Sequence, residues 1–300
     1  MSERVEAGRS RMHHALVVLE GFTGPRPALD RALQLARRLG LRLTLVGWDY
    51  VAQLDNGFLF ERVAREKLRE ERRKEQETVL DEIAAPLREE GIEVDTVYAW
   101  GSSSTEAVLT VAAPLKPDLL VAPVHPHPRL ALRHQDWSLV QQASVPVLLT
   151  RGEPWSEAPR LLAAIDPTHE NDKPAALDHA LVALGRELED RLDGELHVAH
   201  CFDMNEVPAR WREEVRSAHA DAFEAFRSRA GVPDERLHYR ELPAETGLLK
   251  LTEELAVDVL VMGAIKRSGI ERMLIGHTAE RVIDLVSCDV LVLKSSPGAD

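Results

Sequence analysis

The chain has 300 residues, which exceeds the usual size of one compact domain and fits two domains of ordinary size. Its 37 Lys and Arg residues against 50 Asp and Glu residues give a net charge of −13. Because no long cationic run is present to contact a phosphate backbone, we expect no nucleic-acid partner. The longest apolar runs are only strand-length and the polar start "MSERVEAGRSRMHH" lacks the apolar segment of a signal peptide. These features predict a cytoplasmic protein without membrane insertion.

The first half alternates strand-like and helix-like segments. "ALVVLE" is strand-like and ends in Glu20, and the apolar spacing of the following "PALDRALQLARRLG" is helical. "LRLTLVGWD" predicts a second strand, and a charged stretch from about Glu61 to Glu90 predicts a surface helix with a solvated face. The remaining segments of this half are "IEVDTVYAW", "STEAVLTVAAPL", "PDLLVAPV" and "VPVLLT". Ser103 or Ser104 is expected to cap the "STEAVLTVAAPL" helix, with Glu106 in its first turn.

The same order recurs from Arg160, which indicates a duplication of one βα unit. Strands with almost no internal polar residues, alternating with helices, predict a parallel sheet covered on both faces. We therefore expect an α/β protein with two open-twisted five-stranded sheets related by approximate two-fold symmetry. The predicted divisions are a polar tail (1–13), a first domain (14–151), a linker rich in loop formers (152–157), a second domain (158–296) and a tail (297–300).

The chain contains only two cysteines, Cys201 and Cys288, and they do not form a CxxC pair. Neither a disulfide framework nor a cysteine-rich zinc site is implied by this spacing. Buried free thiols are the expected state of both residues.

The order of elements, the acid that ends the first strand, and the ending "MGAIKRSGIERMLIGHTAERVIDLVSCDVLVLK" together resemble the universal stress protein family of tandem type. The resemblance runs from about His14 to Ser296 and implies two domains with the adenine nucleotide alpha hydrolase-like fold. In that family the last strands of two domains commonly meet. The resemblance therefore implies that the strands "VPVLLT" and "DVLVLK" contact each other within the chain, as an intrachain pseudo-dimer. This contact would cover two apolar edge strands. A further homodimer remains open.

Nucleotide-binding members of the family carry a Gly-x2-Gly-x9-Gly pattern followed by Ser, Thr or Asn. In this sequence the three positions fall on Gly263, Lys266 and Gly276, with His277 and Thr278 next. A glycine after a strand allows close approach of the backbone to a ligand, and free amides at a helix start point at an anion. The middle glycine is replaced by Lys266, which either neutralises phosphate charge or occupies the space that phosphate needs. Both roles remain open.

The resemblance also assigns residues to the adenosine end of a nucleotide site. Asp166 ends the first strand of the second half, where ATP-binding members place an acid, and Cys201 follows on the neighbouring strand. The implied site, with ATP as candidate cofactor and at the carboxyl ends of the strands, consists of Asp166, Cys201, Met262, Gly263, Lys266, Gly276, His277 and Thr278. A structural alternative is that Asp166 only caps its loop and Gly276 only makes the turn before a helix.

The first half departs from this pattern. Aligning the two halves places Pro123 opposite Gly263 and Arg133 opposite Gly276, and Glu20 takes the position of Asp166. We therefore expect that the first half does not hold ATP in the manner of the family.

Three histidines lie in the loop "VHPHPRLALRH", namely His125, His127 and His134. An HxH spacing on an extended segment points two imidazoles to one side, which is one arrangement of zinc ligands. No carboxylate or cysteine nearby completes a ligand set, so we expect solvated histidines and no metal.

The chain contains no GxxxxGK(S/T), GxGxxG, HExxH or GxSxG motif. We assign no catalytic residue, and we interpret the protein as a non-enzymatic stress-response protein that senses a ligand or scaffolds partners. Two alternatives remain open, namely a slow ATPase or phosphotransferase acting between Gly263 and Thr278, and a carrier of an apolar ligand.

Overall fold

The computed structural model describes residues 12–19, 24–55, 62–124, 134–168, 175–264 and 277–294. Within these ranges strands and helices alternate through two similar halves, as the repeat predicts. The strands are β1 (His14–Leu19), β2 (Arg42–Asp49), β3 (Val94–Trp100), β4 (Leu119–Pro123), β5 (Val147–Thr150), β6 (Arg160–Ile165), β7 (Glu195–Phe202), β8 (Leu237–Glu241), β9 (Val259–Ala264) and β10 (Asp289–Lys294). The helices are α1 (Pro27–Leu39), α2 (Ala52–Asp55), α3 (Arg62–Glu89), α4 (Ser104–Leu115), α5 (His134–Gln142), α6 (Ala175–Leu192), α7 (Arg212–Ala230), α8 (Ala244–Glu254) and α9 (His277–Leu285).

These strands form one ten-stranded sheet in the order β3-β2-β1-β4-β5-β10-β9-β6-β7-β8. Neighbouring strands within each half run parallel. β5 and β10 pair antiparallel, with Val290 opposite Leu149 and Val292 opposite Val147. A two-fold axis between two copies of one edge strand produces such an antiparallel pair. The predicted contact between the last strands is confirmed, and it joins the two five-stranded sheets into one.

The central strands are apolar because both faces of the sheet are covered. All six residues of β1 and all five residues of β4 are buried. Side chains of α1, α3, α6 and α7 pack on one face, and side chains of α4, α5, α8 and α9 pack on the other. Each of these two apolar layers contains residues from both halves, so the halves share their cores.

Local chemistry sets the ends of two helices, one of them predicted from the sequence. The hydroxyl of Ser103 accepts a hydrogen bond from the Glu106 N–H at 3.4 Å, which confirms the predicted cap of α4. α1 ends at Gly40, whose φ of 67° is left-handed and favours glycine. On α3, Arg73 pairs with Glu70 and Glu77 at exposed positions, as expected for a solvated face.

A buried ion pair joins the halves beside the β5–β10 contact. Asp289 at the start of β10 accepts hydrogen bonds from Arg31 Nε of α1 at 2.6 Å, from Trp155 Nε1 at 2.9 Å and from the Arg151 N–H at 2.9 Å. The Arg31 guanidinium also lies 4.2 Å from the centre of the Trp155 ring. Burial raises the pKa of Asp289 and lowers the pKa of Arg31, and the charge of each partner opposes the shift of the other. Each charge is therefore stable in the interior only with its partner present.

Lys294 and the segment around Trp155 add to the contact between the halves. Lys294 at the end of β10 donates hydrogen bonds to the backbone carbonyls of Gln141, at 2.9 Å, and Ala143 at the end of α5. Burial lowers the pKa of Lys294 to about 8. Trp155, in the segment 152–157 that the sequence marks as a linker, is buried against the ion pair. This segment is therefore part of the contact between the halves.

Within the described ranges, no helix is both long enough and apolar enough to cross a membrane.

We predict that Asp289→Ala lowers the free energy of unfolding by about 3–5 kcal/mol, because it leaves the Arg31 guanidinium buried without its counter-charge. Denaturant unfolding followed by circular dichroism measures this loss. The matched control is Arg37→Ala, which breaks an exposed ion pair with Glu90 and should cost about 0–1 kcal/mol. Equal losses in the two variants would contradict a central role for the buried pair.

Candidate functional site

Each half contains a point where the order of strands reverses. In the second half, β7 and β8 lie on one side of β6, whereas β9 and β10 lie on its other side. Chain segments that leave the carboxyl ends of β6 and β9 diverge at this point, and open α/β sheets hold ligands in the resulting crevice. The equivalent point of the first half lies between β1 and β4.

Asp166 directly follows β6 at this crevice and is half-buried. Its backbone N–H lies 3.2 and 3.3 Å from the two carboxylate oxygens of Asp178, a buried residue of α6. Its own carboxylate accepts a hydrogen bond from the Thr168 hydroxyl at 2.8 Å. These contacts hold the start of the loop in place, as the structural alternative for Asp166 expects, and they also place a carboxylate at the mouth of the crevice.

Cys201 lies near the carboxyl end of β7 and packs against α8. Burial raises the pKa of its thiol to about 12, so it is uncharged at neutral pH. The contact with α8 depends on Gly247, because a Cβ at that position would lie 2.6 Å from Cys201 Sγ and 3.2 Å from Cys201 Cβ. Both Cys201 and Cys288 are free and partly buried.

β9 brings Met262 and Gly263 to the other side of the crevice. Met262 is buried in the layer that packs on α8 and α9, and Gly263 is half-buried opposite Leu293 of β10. α9 begins at His277, directly after Gly276, as predicted. Lys266 and Gly276 lie outside the described residues, as do the side chains of His277 and Thr278. Their predicted contacts with phosphate remain predictions.

The strand registers match positions between the halves. Ala15 pairs with Leu119 in the first half as Leu161 pairs with Val259 in the second, so Pro123 corresponds to Gly263. In the same way Ala15 pairs with Leu43 and Leu161 with Leu196, so Trp48 corresponds to Cys201.

The first half therefore has Trp48 and Pro123 where the second half has a cysteine and a glycine. The sequence analysis did not single out Trp48. Aligning "LRLTLVGWD" with "GELHVAHCFD" would have identified it.

In the first half, side chains of α3 contact the carboxyl ends of β2 and β3. Asp49, at the end of β2, pairs with Arg72 and accepts a hydrogen bond from the Tyr50 N–H at 2.8 Å. The Arg69 guanidinium lies 5.0 Å from the Trp100 ring, which also contacts Tyr50 at 6.0 Å between ring centres. This end of the first half thus differs in chemistry from the second. Glu20 and Arg133, which the alignment assigns to this crevice, lie outside the described residues.

The loop histidines are also beyond the part of the chain that the structure describes. His125 and His127 lie in an undescribed segment, and His134 is the first residue of α5 with its side chain undescribed. Among the described residues, no group of three or more His, Cys, Asp and Glu side chains is placed to hold a metal ion.

The profile of the universal stress protein family matches residues 12–151 and 158–294, which is nearly the whole chain in two tandem copies. The protein therefore belongs to the universal stress protein family, in its tandem form, and the resemblance seen in the sequence is confirmed.

Individual relatives agree with this assignment. Universal stress protein E of Escherichia coli is 26% identical over 295 residues, covering 93% of each chain. A homologue of universal stress protein E from Haemophilus influenzae is 26% identical over 235 residues, covering 74% of this chain and 75% of that protein.

Solved structures show the same fold. A Pseudomonas aeruginosa protein of unknown function superposes with a TM-score of 0.76 at 27% identity, covering 95% of this chain and 93% of that one. A universal stress protein from Archaeoglobus fulgidus superposes with a TM-score of 0.69 at 15% identity, covering 95% and 99% of the two chains.

We predict that Gly247→Ala lowers the free energy of unfolding by about 1–3 kcal/mol, because the new methyl group overlaps the Cys201 side chain. A double-mutant cycle with Cys201→Ala, measured by denaturant unfolding, tests the cause. In the Cys201→Ala background the same change should cost clearly less, because the 2.6 Å overlap with sulfur is gone and only the 3.2 Å contact with Cβ remains. An unchanged cost in that background would mean that Gly247 is required for another reason.

Proposed function

We propose that this protein is a non-enzymatic stress-response protein that binds an adenine nucleotide, with ATP as the candidate, in the crevice between β6 and β9. Partner proteins that dock on the surface of this protein would respond to the bound nucleotide. The difference between the two reversal points carries the proposal. The second half keeps small side chains at Cys201 and Gly263, whereas the first half has Trp48 and Pro123 at the matching positions.

Small residues matter here because a nucleotide needs close approach to the strand ends. Gly263 has no side chain, so the backbone of β9 can contact a ligand directly. Pro123 places a ring at the same position and has no N–H to donate. A nucleotide is therefore favoured in the second half and disfavoured in the first.

The position of Asp166 supports the orientation of the nucleotide. A carboxylate accepts hydrogen bonds from sugar hydroxyls, and charge-assisted bonds of this kind are about twice as strong as neutral ones. α9 begins at His277, in the connection that follows β9, and the first amides of a helix are suited to phosphate. The adenosine end would thus lie at Asp166 and the phosphates at the Gly276 turn.

The chemistry of Cys201 favours binding over catalysis. Nucleophilic cysteines act as thiolates, but burial raises the pKa of Cys201 to about 12. The sulfur therefore serves as an apolar wall of the crevice. Slow hydrolysis of ATP at the Gly276 turn remains the alternative that the same experiments test.

We predict that ATP binds the wild-type protein with one site per chain and that Gly276→Val abolishes binding, because a branched side chain blocks approach of phosphate to the helix start. Asp166→Asn should weaken binding about tenfold or more, since a charge-assisted hydrogen bond contributes about 1.5–3 kcal/mol. Isothermal titration calorimetry measures both effects. Glu20→Gln is the matched control in the first half and should leave the affinity unchanged.

Binding that survives Gly276→Val, or that is lost in Glu20→Gln, would refute the assignment to the second half. Lys266→Gly separates the two roles of the lysine, because tighter binding indicates that its side chain blocks phosphate and weaker binding indicates that it pairs with phosphate. Phosphate release that disappears in Gly276→Val would establish the ATPase alternative.

A further inference from the structure

Two pairs of histidines contact each other at the outer edge of the second half. His200 Nε2 of β7 lies 2.9 Å from His219 Nδ1 of α7, and His197 Nδ1 of β7 lies 3.0 Å from His238 Nε2 of β8. In each pair the rings are nearly parallel, with centres 5.1 and 5.2 Å apart. His197 and His200 are an odd number of residues apart on one strand, so the two pairs lie on opposite faces of the sheet.

The hydrogen bonds of His200 define which ring nitrogens carry protons. His200 Nδ1 lies 3.4 Å from the carbonyl oxygen of Ile165, which can only accept, so Nδ1 carries the proton. Nε2 of the neutral ring is then an acceptor, and His219 Nδ1–H donates to it. A second proton on His200 would set two N–H groups against each other unless His219 gives up its own.

Aromatic rings enclose this first pair. His219 stacks on Phe202 with 4.2 Å between ring centres, and His200 lies 5.7 Å from Phe202, 6.1 Å from Phe223 and 5.9 Å from Tyr239. Both histidines are almost fully buried. Water therefore cannot solvate a charge formed here, and protonation is costly.

The charged and titratable groups that face His200 come from every neighbouring element. They are His219 of α7, Asp178 of α6, Asp166 after β6 and the Tyr239 phenol of β8. Burial and the neighbouring His219 lower the pKa of His200, and the two carboxylates oppose this shift. The result is a pKa of about 4, against 6.5 for a free histidine.

The second pair has a more polar setting. Burial, followed by the charge of His197, lowers the pKa of His238 to about 4, and burial also lowers the pKa of His197. The charged groups that face this pair are Glu195, Arg160, Arg236, Arg240 and Glu254. Burial is the largest cause of the lowered pKa in both rings, and only for His238 is the neighbouring histidine the next cause.

The first half provides an internal comparison. The strand registers place Gly47 at the position of His200, Thr44 at the position of His197 and Val97 at the position of His238. These residues do not titrate. The first half therefore lacks both histidine pairs, and its buried His14, whose pKa burial also lowers, contacts the Thr44 hydroxyl at 2.8 Å as a single histidine.

The histidine pairs also lie beside one of the two outer edges of the sheet. β8 is an edge strand, its five residues are at least partly exposed, and in the described sheet its strand neighbour is β7. Edge elements with few buried contacts open locally at lower free energy than the core. A loss of stability here can therefore open β8 first, and α7, which buries His219, Phe223 and Phe226, would follow when the contacts of His219 with His200 and of Phe223 with Tyr239 are lost.

We propose that the two histidine pairs make the outer edge of the second half a sensor of acid: protonation at mildly acidic pH drives the paired rings apart and releases β8 and α7 from β7. The ligand of this sensor is the proton, and the inference does not depend on nucleotide binding. A histidine whose pKa is lowered on folding stabilises fully above about pH 6.5, and this stabilisation is lost as the pH falls toward 4.

Hydrogen exchange with mass spectrometry on the full chain tests the proposal at pH 7 and pH 5, after correction for intrinsic exchange rates. For each histidine with a pKa of about 4, the opening equilibrium constant of β7, β8 and α7 should rise about 20-fold between the two pH values. Peptides from β3 and α3 are the internal control and should change much less, whereas β1 and β2 are left out of the control because the buried His14 contacts Thr44. The variants are His200→Gln and His238→Gln, because a glutamine amide retains a hydrogen bond and does not titrate.

The ratio of opening constants at the two pH values is compared within each variant, so a variant that is less stable at pH 7 remains informative. Each substitution should remove the part of the rise in the opening constant that its histidine causes. In the double variant the ratio of opening constants at the two pH values should fall to that of the control peptides. An unchanged ratio in the variants, or an equal response in both halves of the wild type, would overturn the proposal.

Discussion

The antiparallel pairing of β5 with β10 is the interaction on which the rest of the structure depends. Each half alone would expose an apolar strand with a row of unpaired N–H and C=O groups at its edge, which is a template for aggregation. Pairing the two edges satisfies those groups and merges two sheets into one. The ion pair of Arg31 with Asp289 lies beside this contact, at the start of β10, and Trp155 donates a hydrogen bond to Asp289. At the end of β10, Lys294 donates a hydrogen bond to the Gln141 carbonyl of α5.

Because the halves share two cores, neither crevice has to maintain the fold. The repeat could therefore diverge at its strand ends while the strands themselves stayed apolar. In the first half Trp48 and Pro123 stand at the reversal point, and Arg69 and Arg72 of α3 contact the ends of β2 and β3. In the second half Cys201 and Gly263 stand at the corresponding positions. Two copies of one fold thus supply a stable partner and a candidate ligand site.

β7 connects the candidate ligand site with the histidine pairs. Its end carries Cys201 at the crevice, and the residue before it, His200, bonds the carbonyl of Ile165, which directly precedes Asp166. Movement of β8 and α7 would therefore begin one residue away from the crevice wall. Proton uptake and ligand binding would both act on this strand, which gives a stress-response protein two inputs on one structural element.

The sequence by itself determined the alternation of strands and helices, the duplication, the parallel sheet of each half and the cap at Ser103. These features follow from apolar periodicity and from turn chemistry, which act over a few residues. The candidate site was placed at the strand ends by resemblance, and the fold puts Asp166, Cys201 and Gly263 at or next to the carboxyl ends of β6, β7 and β9. Only the tertiary structure showed that Asp289 pairs with Arg31, 258 residues away, and that four histidines form two pairs. Such contacts depend on strand order and register, which the spacing of residues along the chain does not encode.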